Sequence, residues 1–211
     1  MAIGTPVALI NIIVALGGMF VQAVVNGFDL GFIAGFTATG KLFGLLEIAA
    51  VSYGYAITTY VGQNYGAGKP DRIRSGMKAA FILSILTSLV IAAAMFAFGR
   101  QITGLFISTD DPALLAAASN TAYGYLCVMS SLLPVLYLLY LYMSALQGIG
   151  QTVHTMVSGI MELIMRVAFS LFIAWTGWQT GIFFAEIAAW IGSTVYMALN
   201  YYRIMAKQFP K

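Results

Sequence analysis

Charge is what this sequence has least of. Its 211 residues include ten Lys and Arg and seven Asp and Glu, 8% in all, against 61% hydrophobic residues. Soluble domains carry about 25% charged residues and could not cover their surface with so few. The shortage excludes an ordinary soluble globular protein and points to an all-α membrane protein. Cysteine is almost missing too: Cys127 stands alone inside an apolar run. That rules out an intrachain disulfide and argues against a cysteine-based metal site. No metal-ligand spacing and no nucleophile–base pair is present, so neither enzyme chemistry nor a cofactor is expected. Gly66-Ala67-Gly68-Lys69 superficially suggests a phosphate cradle. It lacks the first glycine at the required spacing and the Ser/Thr after the lysine. No nucleic-acid partner is expected. Residues 1–20 lack a positive leading region, and their apolar run continues too far for a cleavable signal peptide. The absence of a basic lead before Pro6 suggests that something normally precedes Met1.

What is present is apolar length. Six segments suit a hydrocarbon core of roughly 30 Å at about 1.5 Å per residue. They run approximately over 6–28, 41–62, 76–98, 116–146, 152–175 and 180–202. Pro6 suits a helix start. The small-residue stretch 30–40 reads either as an interfacial turn or as an extension of the second helix. Pro134, near the middle of the long fourth segment, predicts a kink. No domain boundary, low-complexity tract or clear internal repeat interrupts the chain, so 1–211 reads as one six-helix unit.

The few charges set the orientation. An even number of spans puts both termini on one side. That side holds Lys69, Arg72, Arg74, Lys78, Arg203, Lys207 and Lys211. The other holds Lys41 and Arg100 with Asp29, Asp110 and Asp111. Positive residues mark the cytoplasm, so both termini are expected inside, in a plasma (inner) membrane. Trp175 and Trp178 fit interfacial anchors. The glycine-rich turn Gly62, Gln63, Asn64, Gly66, Ala67 and Gly68 ends one helix, and Pro70 with an Asp71 N-cap starts the next. With Lys69 and Arg72 it is the most positive loop of the chain, a topology determinant near anionic lipid.

Polar residues recur on single helix faces: Asn11, Ala15, Gly18, Gln22 and Asn26 in the first span; Thr155, Ser158, Glu162, Arg166 and Ser170 in the fifth. A weaker stripe in the fourth runs through Asn120, Cys127, Ser131 and Pro134; in the sixth, Glu186, Ser193 and Asn200 share a face with Trp190. Such stripes are costly in hydrocarbon and must meet other helices or a water-filled cavity. For the first span, helix packing and a transport pathway stand level; for the fourth, packing is favoured. Gly31/Gly35 and Gly40/Gly44 have the spacing of close helix contacts. Glu162 is near mid-membrane, where a charge costs at least about 2.5 kcal/mol. Arg166 follows at i+4, which reads first as a neutralised structural pair. Glu47 and Glu186 have no such in-helix partner and are expected nearer the outer ends of their helices. They are either hydrated interfacial residues or carriers of a proton, a sodium ion or a cationic substrate. His154 is expected in a short solvated turn.

The run Gly62-Gln63-Asn64-Tyr65-Gly66-Ala67-Gly68-Lys69, followed by Arg72-Ile73, resembles the signature loop of the multidrug and toxic compound extrusion (MATE) transporters, in the copy between their eighth and ninth helices. Residues 6–26 resemble the seventh helix, and Ala145-Leu146-Gln147-Gly148-Ile149-Gly150 the loop closing the tenth. Arg166 falls where the eleventh usually carries an arginine, and Gly181-Ile182 with Ala189-Trp190 resembles the twelfth. The resemblance implies the C-terminal six-helix lobe of a twelve-helix antiporter. Such antiporters export cationic, amphipathic compounds in exchange for Na+ or H+ by alternating access. The missing N-terminal lobe, or a second copy, is the implied partner, with membrane lipid around it. Gln22, Asn26, Pro134 and Tyr137 are then expected to line the cavity. The first span departs from some members in having no acidic residue before Asp29. Glu47, Glu162 and Glu186 are therefore candidates from burial logic alone. A half-size homodimeric transporter and a non-transporting membrane subunit are the alternatives.

Overall fold

The computed structural model describes residues 4–209, with side chains from residue 10; the side chain of Pro6 and all of Lys211 fall outside that range. The described residues form seven α-helices: α1 (Gly4–Val25), α2 (Leu30–Gly66), α3 (Pro70–Gly104), α4 (Pro112–Ser131), α5 (Leu133–Gly148), α6 (Thr152–Thr176) and α7 (Phe183–Gln208). A 3-10 turn, Gln179–Ile182, leads into α7. This is an all-α membrane protein with the bulk of one six-helix lobe. By length and apolarity α2, α3, α6 and the turn with α7 can each cross a membrane, and α4 with α5 can do so as one bent pair. The described apolar part of α1, Ile10–Val25, is shorter.

The element ends differ from the sequence expectation for local reasons. Residues 30–40 are helix, so α2 begins eleven residues earlier than 41. Asp29 caps it, its Oδ1 accepting from Phe32 N at 2.9 Å. Gly31 and Gly35 press this extension onto α4: a Cβ on Gly31 would lie 2.6 Å from the Ala117 Cβ. Gly40 and Gly44 meet nothing within 4 Å, so that glycine pair is not a helix contact. The expected kink is a break. α4 stops at Ser131, and α5 leaves at 51° with Pro134 in its first turn. The proline ring cannot donate to the preceding turn, and clashes with it. Asp71 is not an N-cap: Lys69 holds that position without a side-chain bond. Pro70 starts α3, and Asp71 pairs with Arg74 at 3.3 Å. His154 lies in the first turn of α6, not in a solvated loop, with Nδ1 3.1 Å from the Tyr196 hydroxyl. Lys41 is likewise within α2, beside the 106–109 loop.

Small residues set the packing. Thr58 on α2 donates to the Ser144 carbonyl on α5 at 3.2 Å, and Gly62 meets Gly148 backbone to backbone. Side chains this small let two helices approach closely, which in lipid is a main source of association. Phe36, Tyr125 and Phe183 stack at 4.5 and 4.9 Å between ring centroids, locking α2, α4 and α7 near the Asp29 end. The positive loop ties the other end: Tyr60 donates to the Arg72 carbonyl at 2.8 Å, and Arg74 to the Phe209 carbonyl at 2.8 Å. Gly68, at φ 64°, supplies the left-handed turn. α1 packs along α6 and barely touches α2, which leaves a cleft between α1 and α2.

Candidate functional site: an arginine between carboxylates in the cleft

The polar stripe of α6 turns inward: Thr155, Ser158, Glu162, Arg166 and Ser170 are all buried. Arg166 is the hub. Its Nη2 lies 2.8 Å from Glu186 Oε2 and 3.3 Å from Glu162 Oε2, and its Nε donates to Glu186 at 2.9 Å. Nη1 reaches the Val14 carbonyl of α1 at 3.3 Å. One guanidinium thus joins three helices, which its planar fork of donors suits. Gly17 makes the room: a Cβ there would lie 3.0 Å from Arg166 Cδ. Glu186, in the first turn of α7, gains from the helix dipole.

A central cavity of about 330 Å³ opens beside this hub. Glu47 lines it from α2, Tyr140 from α5, Glu162 and Ser158 from α6, and Trp190 from α7. Tyr140 donates a hydrogen bond from its hydroxyl to Glu47. The Ser158 Oγ is buried without a hydrogen-bond partner among the described residues. A second cavity of about 280 Å³ lies toward the Asp29 end and shares Glu47, Arg166 and Trp190 with the first. A third, about 300 Å³, lies toward the Gly62 end and shares Asn11 and Tyr140. The three follow the α1–α2 cleft. Three carboxyls against one guanidinium leave the site formally negative, so it suits protons and cations. The described residues hold no group of three His, Cys, Asp or Glu that could bind a metal.

The structure therefore brings together Glu47, Glu162, Arg166 and Glu186. Glu47 is not near the outer end of its helix, because the longer α2 puts it near mid-helix. Gln22 and Asn26 bond each other at 2.8 Å and line none of the three cavities. Tyr137 is buried in the core, 1% exposed, donating to the Leu46 carbonyl at 3.3 Å; Pro134 only starts α5. The α5 aromatic that faces the cavity is Tyr140, one turn further on; an apolar run with a tyrosine on several faces gives no signal for choosing it. Asn120 and Ser131 are exposed and Cys127 and Pro134 half-buried, so the α4 stripe is covered only in part; Asn120 Oδ1 accepts from Arg100 of α3 at 3.4 Å. The signature-loop residues Gly62 to Arg72 run from the last turn of α2 into the first turn of α3, with Gly62 about 22 Å along α2 from Glu47.

Comparison with known proteins accords with this architecture. The MatE family matches residues 6–172. Probable multidrug resistance protein YpnP of Bacillus subtilis is 27% identical over 85% of this chain and 39% of its own length. An FAD transporter of Shewanella oneidensis is 27% identical over 77% of this chain and 35% of its own. A solved MOP superfamily transporter from Pyrococcus furiosus superposes with a TM-score of 0.86 at 19% identity, over 96% of this chain and 45% of that one. The chain thus spans less than half the length of these relatives. With the match covering most of its residues, the chain belongs to the MatE family of membrane transporters.

Proposed function

We propose that the chain supplies the C-terminal lobe of a secondary active efflux antiporter for organic cations, with Na+ or H+ as the coupling ion. The observation that carries this reading is the negative cleft: Glu47 and Glu162 face one cavity beside Arg166, with the unpartnered Ser158 hydroxyl between helices. A cation or proton entering there meets two carboxyls, while Arg166 holds Glu162 and Glu186 in place. Exchange against substrate then follows from mutual exclusion: ion and cationic substrate compete for the same negative charge. The Shewanella relative is named for FAD, whose phosphates are anionic; three carboxyls against one arginine favour cations here instead. Trp190, stacked on Phe43 at 5.3 Å, and Met143 offer aromatic and adaptable surface to flat cations.

The α1 face through Asn11, Ala15 and Asn26 is exposed on this lobe. A polar face in hydrocarbon requires cover, which an N-terminal lobe, or a second copy of the chain, supplies. The test is ethidium efflux from cells making the full transporter, with Glu47→Gln and Glu162→Gln. Each should lower efflux about tenfold or more at unchanged membrane levels. Unchanged efflux in both would refute the assignment of the cleft.

A further inference from the structure

A groove between α3 and α7 lies apart from the cleft. Both helices pack on α5 but scarcely touch each other, which leaves a hollow of about 510 Å³. Arg74 and Lys78, one turn apart on α3, form its rim. Its floor is Met77, Tyr142, Tyr201 and Met205, all buried. Phe81 and Tyr202, 40% and 60% exposed, leave its side open to lipid. The hydroxyls of Tyr142 and Tyr202 stand 3.1 Å apart and add polar groups below the rim.

The charge and the depth point to one kind of occupant. Lys78 has no carboxylate within ion-pair distance among the described residues. Arg74 is held by Asp71 at 3.3 Å and by the Phe209 carbonyl at 2.8 Å, and a guanidinium has further donors to offer. Lys78 lies eight residues into α3, about 12 Å from its end, where headgroups give way to acyl chains. This is also the end that the charge distribution assigns to the cytoplasm, where anionic lipid concentrates. We infer that the groove binds one anionic phospholipid, its phosphate on Lys78 and Arg74 and its acyl chains along Phe81 and the methionine–tyrosine floor. A cationic substrate is repelled by the same rim.

The test is native mass spectrometry of the full transporter released in mild detergent from vesicles of equal phosphatidylglycerol and phosphatidylcholine. Phosphatidylglycerol should be retained over phosphatidylcholine about fivefold or more, and Lys78→Gln should cut that preference about fivefold. Lys78 is exposed, so the variant keeps the fold. Lys207→Gln, a charge at the same end but outside the groove, should leave the preference intact. Excess glycerol phosphate should not displace the lipid, because the acyl chains hold it. Equal retention of the two lipids, an equal loss in Lys207→Gln, or displacement by glycerol phosphate would each overturn the inference.

Discussion

Tyr140 on α5 donates a hydrogen bond from its hydroxyl to Glu47 on α2, across the cavity in which Glu162 and Arg166 also stand. A hydrogen bond to a carboxylate contributes about 1.5–3 kcal/mol, and it also fixes which way the carboxylate points. Tyr140→Phe should therefore lower efflux while the protein stays in the membrane. Its melting point in detergent should fall by a few degrees. A variant with wild-type efflux would remove Tyr140 from the site.

Arg166 carries the next prediction. Arg166→Leu leaves the buried Glu162 and the half-buried Glu186 without their counter-charge, a loss of about 3–5 kcal/mol. Arg166→Lys keeps the charge but cannot bond Glu186, Glu162 and the Val14 carbonyl together. Thermal aggregation of the detergent-solubilised protein should rank wild type above Arg166→Lys and that above Arg166→Leu. Equal stability of all three would contradict the hub.

Glycines in the two family motifs should differ sharply. A Cβ on Gly148 would lie 2.8 Å from the Thr58 carbonyl oxygen, whereas one on Gly66 meets nothing within 4 Å. Gly148→Ala should cost about 1–3 kcal/mol through overpacking, and Gly66→Ala almost nothing. Melting points of the two variants check this directly.

Gln22 and Asn26 bond each other away from the three cavities, on the α1 face that this lobe leaves uncovered. Replacing both by Leu should impair export without loss of protein from the membrane if that face meets the pathway between lobes. Normal export would make it a packing face.

Much of this was legible in the sequence because lipid imposes simple rules. The inward stripe of α6 was visible as Thr155, Ser158, Glu162, Arg166 and Ser170 at helical spacing, and a polar stripe in hydrocarbon has few places to go. The pairing of Glu186 with Arg166 was not visible, because it joins two helices and depends on how α7 enters through its 3-10 turn. Glu47 falls near mid-helix and not near a helix end for a related reason. Residues 30–40 are poor in strong helix signals, and what makes them part of α2 is the Asp29 cap and the close fit of Gly31 and Gly35 against α4. Tyr137 turns into the core instead of the cavity because the chain breaks between Ser131 and Leu133, which resets the face that each α5 residue presents.

The most direct test of the central claim is gradient-driven transport in proteoliposomes holding the full transporter. An imposed inward gradient of H+ or of Na+ should drive ethidium against its own gradient. Glu47→Gln combined with Glu162→Gln should abolish that drive. If the double variant remains driven by either ion as well as the wild type, the carboxylates of the α1–α2 cleft are not the coupling site.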